Sequence, residues 1–122
     1  MSVILLVEDV ADNRELASLL LESAGHSVIE AHDGLAAVAM ASQHHPDLIL
    51  MDLSLPEMDG WEATRHILAN AATRDIPIVA VTAHAMAGDR ERVMATGFVG
   101  YITKPIEVGA FADQVAGYLP RR

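Results

Sequence analysis

Acidic side chains and a lysine follow three of the apolar segments in this 122-residue sequence. Glu8 and Asp9 come directly after the first segment, Asp52 ends the third, and Lys104 follows the fifth. Three carboxylates in one small site disfavour one another's ionisation unless a positive charge is present. The set therefore predicts a hard divalent cation such as Mg²⁺. The Lys104 ammonium, which belongs to the only lysine in the chain, would be a further point charge suited to a phosphate oxygen.

Asp52 is also a candidate nucleophile, because a carboxylate can attack a phosphoryl group and form an acyl phosphate. It ends a strongly apolar segment, where an ionised side chain is costly unless it faces a cation. Thr82 and the N–H of Ala83 follow the fourth apolar segment and can donate hydrogen bonds to another oxygen. The combination favours phosphoryl chemistry over the binding of a neutral substrate.

Five short apolar segments alternate with five segments of helical periodicity. We predict strands at residues 3–7, 27–30, 47–52, 76–81 and 98–102. The predicted helices begin near residues 12, 34, 61, 88 and 107 and end near residues 25, 45, 68, 97 and 119. Such alternation predicts a doubly wound α/β fold, a parallel sheet with helices on both faces. Ligands of these sheets bind beyond the carboxyl ends of the strands, where the acidic residues and the lysine are expected to meet.

Composition excludes several classes of function. The net charge is −9, from 17 acidic and 8 basic residues, which argues against direct binding of nucleic acids or anionic membranes. The absence of cysteine excludes disulfides, thiolate metal sites and a cysteine nucleophile. The first residues lack the pattern of a signal peptide, and the sequence contains no apolar run of about 18 residues. We expect one cytoplasmic domain over residues 1–122.

Four motifs in a fixed order are informative together. They are Val-Glu8-Asp9, Leu-Met-Asp52-Leu-Ser-Leu-Pro56-Glu-Met-Asp59-Gly60, Val-Thr82-Ala83-His-Ala-Met and Tyr101-Ile-Thr-Lys104-Pro105. With them the chain resembles, end to end, the receiver domain of response regulators in two-component signalling. The third motif is most similar to receivers of hybrid histidine kinases and of some stand-alone regulators. The resemblance implies a flavodoxin-like (βα)5 fold with five parallel strands in the order 2-1-3-4-5.

The resemblance also implies roles for the acidic residues. Asp52 would be the phosphoacceptor, taking a phosphoryl group from a phosphohistidine. Mg²⁺ would bind Asp9 directly and Glu8 mainly through water. Asp52 and the backbone carbonyl of Ser54 would complete its protein ligands.

The remaining motif residues receive roles in phosphoryl binding and in switching. Lys104 would pair with Asp52 and then with a phosphoryl oxygen, and the Lys104–Pro105 peptide bond would be cis. Thr82 would hydrogen-bond another phosphoryl oxygen, and Ala83 would offer its N–H. Movement of Thr82 would let Tyr101 rotate inward and change the surface that a partner contacts.

The partners implied are a histidine kinase or histidine phosphotransfer protein and an unknown downstream protein. We expect no direct contact with nucleic acid or membrane, and a monomer or weak dimer. The chain would not be an enzyme beyond its own phosphorylation and autodephosphorylation at Asp52. Because the sequence stops after the closing helix, a stand-alone regulator is expected; a receiver cut from a hybrid kinase is the alternative.

Three rival interpretations make different demands on the residues. A flavodoxin-like cofactor binder needs a Ser/Thr/Gly-rich phosphate loop after the first strand, where this chain has Glu8 and Asp9. A phosphatase with an aspartate nucleophile is expected to carry a second aspartate two residues later, where this chain has Ser54. A pseudo-receiver would act by protein contact without phosphorylation, and the complete set argues against it: Glu8, Asp9, Asp52, Thr82 and Lys104.

Two features of the site are less typical or less informative. Val10 stands where many relatives have a polar or acidic residue, but the two preceding carboxylates are expected to keep the metal site intact. Ser54 and His84, two residues beyond Asp52 and Thr82, do not predict how long the acyl phosphate would last.

Overall fold

The computed structural model describes residues 2–55, 57–83 and 87–119, with only the backbone of residues 87–89. Strands and helices alternate along this part of the chain: β1 (Val3–Val7), α1 (Ala11–Ser23), β2 (Ser27–Ala31), α2 (Gly34–His44), β3 (Leu48–Asp52), α3 (Gly60–Ala69), β4 (Ile78–Thr82), α4 (Ala87–Thr96), β5 (Gly100–Thr103) and α5 (Phe111–Ala116). No helix in these ranges is long and apolar enough to cross a membrane.

The five strands form one parallel sheet in the order β2-β1-β3-β4-β5. This confirms the predicted flavodoxin-like topology. The register sets Val7 beside Met51 and Thr82 beside Thr103. The residues that follow these strands therefore emerge at the same edge of the sheet, which is where ligands of such folds bind.

The core lies on both faces of the sheet. One face packs against α2, α3 and α4 through side chains that include Leu5, Val7, Ile49 and Met51. The other face packs against α1 and α5 through Ile4, Leu6, Leu48 and Leu50. Burying one such side chain stabilises the fold by about 1.5–3 kcal/mol. The central strands β1 and β3 are therefore held in place by packing on both faces, and so are the residues at their carboxyl ends.

Aspartate side chains cap two of the helices. Asp33 Oδ1 accepts a hydrogen bond of 2.8 Å from Ala36 N at the start of α2. Asp59 Oδ1 accepts one of 2.9 Å from Glu62 N at the start of α3. These bonds satisfy backbone N–H groups that have no partner within the helix. The second cap also fixes the end of the loop that follows β3.

The C-terminal elements differ from the predicted boundaries. The last strand is 100–103 rather than 98–102, because Phe98 N bonds to Val93 O and so closes α4. The last helix is 111–116 rather than 107–119. Ala110 N bonds to Glu107 O in a turn before the helix, and Tyr118 N and Leu119 N each bond to a carbonyl three residues back in turns after it. Phe111 and Val115, which lie four residues apart on α5, are fully buried.

Candidate functional site

Three side chains from three strand ends meet at the carboxyl edge of the sheet. Lys104 Nζ lies 2.8 Å from Glu8 Oε1 and 2.8 Å from Asp52 Oδ2. Glu8 follows β1, Asp52 ends β3, and Lys104 follows β5. Glu8 and Asp52 are each only 4% exposed, so the lysine bridges two buried carboxylates. Removal of one partner from a buried ion pair strongly destabilises the folded protein, because the other charge stays buried without compensation.

Asp9 completes an acidic cluster beside this ion pair. Carboxylate oxygens of Glu8, Asp9 and Asp52 lie within 4.8 Å of one another. Asp9 is exposed, whereas the other two are buried. Hard oxygen ligands around one point, with an open side for water and phosphate oxygens, are what Mg²⁺ requires. The residues present therefore fit a magnesium ion.

Burial and pairing shift the pKa values of two of these groups. Burial, with a smaller contribution from the neighbouring Asp52, raises the pKa of Glu8 above its ordinary value of 4.5, although the hydrogen bond from Lys104 opposes this. Burial lowers the pKa of Lys104, but its hydrogen bonds to Asp52 and Glu8 outweigh burial and leave that pKa above 10.5. Lys104 is therefore a cation at neutral pH.

The loop after β3 approaches Asp52 closely. Ser54 N donates a hydrogen bond of 3.0 Å to Asp52 Oδ1. A Cβ atom at Gly60 would lie 2.1 Å from the backbone oxygen of Asp52, so only glycine fits at this point. The loop thus orients the Asp52 carboxylate from one side while Lys104 holds it from the other. The Ser54 carbonyl as a metal ligand stays a prediction.

Thr82 and Ala83 lie at the end of β4, next to the lysine segment. Thr82 is buried and Ala83 is exposed. Lys104 N donates a 2.8 Å hydrogen bond to Thr82 O, which ties β5 to β4 at this level. The Lys104–Pro105 peptide bond is cis. His84 and Pro56 lie outside the described residues.

Tyr101 lies on β5 away from the acidic cluster. It pairs in register with Ala80, just as Thr103 pairs with Thr82. Because side chains alternate along a strand, Tyr101 faces the same side of the sheet as Ala80 and Thr82. Its ring is half-buried and lies 5.3 Å from the guanidinium carbon of Arg90. The predicted switch pair, Thr82 and Tyr101, therefore shares one face of the sheet.

Two contacts near the site were not predicted from the sequence. Arg14 Nη1 donates a 2.9 Å hydrogen bond to Glu8 O. The guanidinium carbon of Arg92 on α4 lies 4.0 Å from the ring centre of Trp61 on α3, and that ring also meets Phe98 edge-on at 5.7 Å. Neither arginine belongs to a motif, and each contact depends on how helices pack, so no local signal marks them.

A cavity of about 290 Å³ opens beside the lysine. It lies between α1 and the segment that follows β5. Six residues line it: Asn13, Leu16, Ala83, Lys104, Pro105 and Ile106. The lining is mainly apolar, and Lys104 is the only charged residue among these six.

A family model of the response regulator receiver domain matches residues 4–116. The polar-differentiation response regulator DivK of Brucella ovis is 44% identical over 116 residues, which cover 95% of this chain and 94% of that protein. The protein of the same name from Brucella anthropi is 43% identical with the same coverage. This chain therefore spans nearly the full length of these relatives.

Solved receiver structures have the same fold. The receiver domain of a sensor histidine kinase from Pseudomonas aeruginosa PAO1, with a magnesium ion coordinated in its active-site cleft, is 38% identical and superposes with a TM-score of 0.87 over 96% of each chain. The chemotaxis response regulator CheY4 of Vibrio cholerae is 27% identical, with a TM-score of 0.92 over 98% of this chain and 99% of that one. The chain belongs to the response regulator receiver domains of two-component signalling.

Proposed function

We propose that this receiver takes a phosphoryl group from a phosphohistidine onto Asp52 with Mg²⁺ and signals through a changed protein-binding surface. Receiver domains of two-component systems interact with histidine kinases or phosphotransfer proteins and with downstream targets. The observation that carries the proposal is the buried Asp52 carboxylate, held between Lys104 Nζ at 2.8 Å and Ser54 N at 3.0 Å.

In the reaction, a carboxylate oxygen of Asp52 forms a bond to phosphorus while the bond from phosphorus to the donor's imidazole nitrogen breaks. The imidazole leaves with the electron pair of that bond. Such transfers need mainly positioning and neutralisation of charge. Asp52 is suited to the attack because its two neighbours fix the direction of its carboxylate.

Glu8, Asp9 and Asp52 would hold the magnesium ion, with the Ser54 carbonyl as a further ligand. A bound Mg²⁺ supplies positive charge against the phosphoryl oxygens. The known magnesium site in the related Pseudomonas aeruginosa receiver and the acidic cluster of this chain support the assignment.

Lys104 and the end of β4 would hold the product. Once Asp52 is phosphorylated, the Lys104 ammonium pairs with a phosphoryl oxygen. The Thr82 hydroxyl and the Ala83 N–H donate to the others. Because Thr82 and Tyr101 face the same side of the sheet, a shift of Thr82 gives Tyr101 room to rotate inward. This is a local change of charge that biases a packed element.

The proposed function also includes an expected activity, cellular compartment and oligomeric state. The chain would perform no enzymatic reaction beyond phosphorylation and autodephosphorylation of Asp52. It would act in the cytoplasm as a monomer or weak dimer, with a histidine kinase or phosphotransfer protein as donor.

The experiment uses phosphoramidate, a small donor with the same phosphorus–nitrogen bond as phosphohistidine. The protein is incubated with phosphoramidate and Mg²⁺, and its peptides are mapped by mass spectrometry. We expect one phosphoryl group on the peptide that contains Asp52, and none on Asp52→Asn or without Mg²⁺. A phosphoryl group at another residue would contradict the assignment, and lasting absence of labelling would favour a pseudo-receiver.

A further inference from the structure

Arg14 connects the acidic end of β1 to the neighbouring strand β2. Its Nη1 donates a 2.9 Å hydrogen bond to the backbone oxygen of Glu8. Its Nε lies 3.9 Å from Glu30 Oε1 on β2, and the arginine side chain is only 14% exposed. Ser18 Oγ, one helical turn further along α1, donates a 2.6 Å hydrogen bond to Glu30 Oε2. The mostly buried guanidinium is thus held at two points, the Glu8 carbonyl and the partly exposed Glu30 carboxylate.

The atom that Arg14 contacts belongs to the peptide unit between Glu8 and Asp9. On the other side of Glu8, its N–H donates to Ala31 O at 3.1 Å. Glu8 Oε2 accepts a 3.2 Å hydrogen bond from Val10 N. With the bond from Arg14, both backbone groups of Glu8 are fixed. The exposed Asp9 depends on the orientation of this peptide unit to face Asp52.

We propose that Arg14 is a positioning residue for the metal site, acting through the Glu8–Asp9 peptide unit rather than by contact with the metal or phosphoryl group. This inference rests on the proposed function, because it assumes that the acidic cluster binds Mg²⁺. Glu30 offsets the charge of Arg14 and, with Ser18, holds the guanidinium at the Glu8 carbonyl. Partners that orient metal ligands in this way commonly change metal affinity by about 10- to 100-fold when removed.

Whether Mg²⁺ affinity falls or rises when Arg14 is replaced distinguishes a positioning role from simple charge repulsion. A guanidinium near a cation site repels the cation, so its removal by charge alone would strengthen Mg²⁺ binding. A positioning role predicts the opposite, because the Asp9 carboxylate loses its fixed direction.

The test is calorimetric titration of the full chain with Mg²⁺. We expect Arg14→Gln to bind Mg²⁺ about tenfold more weakly than the natural sequence. Arg14→Lys keeps the charge but loses the second donor that reaches Glu30, so we expect a smaller loss in the same direction. Arg65→Gln removes the charge of an exposed arginine on α3 and should leave the affinity unchanged.

A control for lost stability is Ile67→Val, which removes one buried methylene from α3 and so weakens the core far from the acidic residues. It should lower the unfolding free energy without changing Mg²⁺ affinity. Unchanged or tighter binding in Arg14→Gln would overturn the inference. If that variant does not fold, unchanged affinity in Arg14→Lys overturns it instead. Failure of the natural sequence to bind Mg²⁺ would overturn the proposed function as well, so the two failures are distinguishable.

Discussion

Lys104 Nζ and Asp52 Oδ2 lie 2.8 Å apart although 52 positions separate these residues in the sequence. The contact exists because β3 and β5 run parallel on either side of β4, so their carboxyl ends meet. The ammonium neutralises a carboxylate that would otherwise be costly to bury. The same cation is then available to a phosphoryl oxygen when Asp52 is modified.

Replacement of Lys104 by alanine should lower the stability of the metal-free protein without weakening Mg²⁺ binding. Lys104→Ala removes a positive charge that competes with Mg²⁺, so we expect Mg²⁺ to bind as tightly as before or more tightly. Without metal, two buried carboxylates lose their partner, and the unfolding free energy should fall by roughly 3–5 kcal/mol. Calorimetry and urea unfolding measure the two effects. Arg74→Ala at an exposed arginine is the control, and abolished Mg²⁺ binding in folded Lys104→Ala would count against this placement.

Mg²⁺ affinity should fall as the pH is lowered. The ion binds carboxylates rather than carboxylic acids, and the pKa of Glu8 is raised above 4.5. Protons therefore begin to compete at Glu8 at a higher pH than at an ordinary glutamate. Titration calorimetry from neutral to acidic pH should show this loss together with proton release on binding. Glu8→Gln should bind Mg²⁺ more weakly and lose the part of the pH dependence that comes from protonation of Glu8. An identical pH profile in this variant would contradict the role of Glu8 as a metal ligand.

A side chain at Gly60 should disturb both stability and the site. Its Cβ would lie 2.1 Å from the Asp52 backbone oxygen, so Gly60→Ala forces β3 and the following loop apart. We expect a loss of about 1–3 kcal/mol in unfolding free energy and weaker labelling of Asp52. Gly109→Ala is the matched control because nothing lies within 4 Å of its Cβ position. Equal stability of the two variants would contradict the close approach.

Trp61 should report rearrangement of α4. Its ring meets Arg92 at 4.0 Å and Phe98 at 5.7 Å, so movement of α4 changes its surroundings. Beryllium fluoride with Mg²⁺, a mimic of the acyl phosphate, should therefore change Trp61 fluorescence in the natural sequence but not in Asp52→Asn. Arg92→Gln should reduce the change by removing the cation–π contact. A response that persists in Asp52→Asn would mean that the fluorescence does not report the site.

The sequence predicted the meeting of Glu8, Asp52 and Lys104 because each lies at the carboxyl end of a parallel strand, Asp52 as its last residue and the other two directly after it. That placement needs only strand order and direction. The contact of Arg14 with the Glu8 carbonyl could not be predicted, because it depends on the course of α1 over the sheet and on one side-chain conformation. The start of α5 was predicted near Glu107, but residues 107–110 form a turn and the helix begins at Phe111.

The most direct test of Asp52 as the phosphoacceptor is the intact mass of the protein after incubation with acetyl phosphate. Asp52→Asn nearly preserves side-chain volume, so it should keep the fold while removing the nucleophile. We predict one added phosphoryl group on the natural sequence with Mg²⁺, and none without Mg²⁺ or in Asp52→Asn. Normal labelling of Asp52→Asn would show that Asp52 is not the phosphoacceptor.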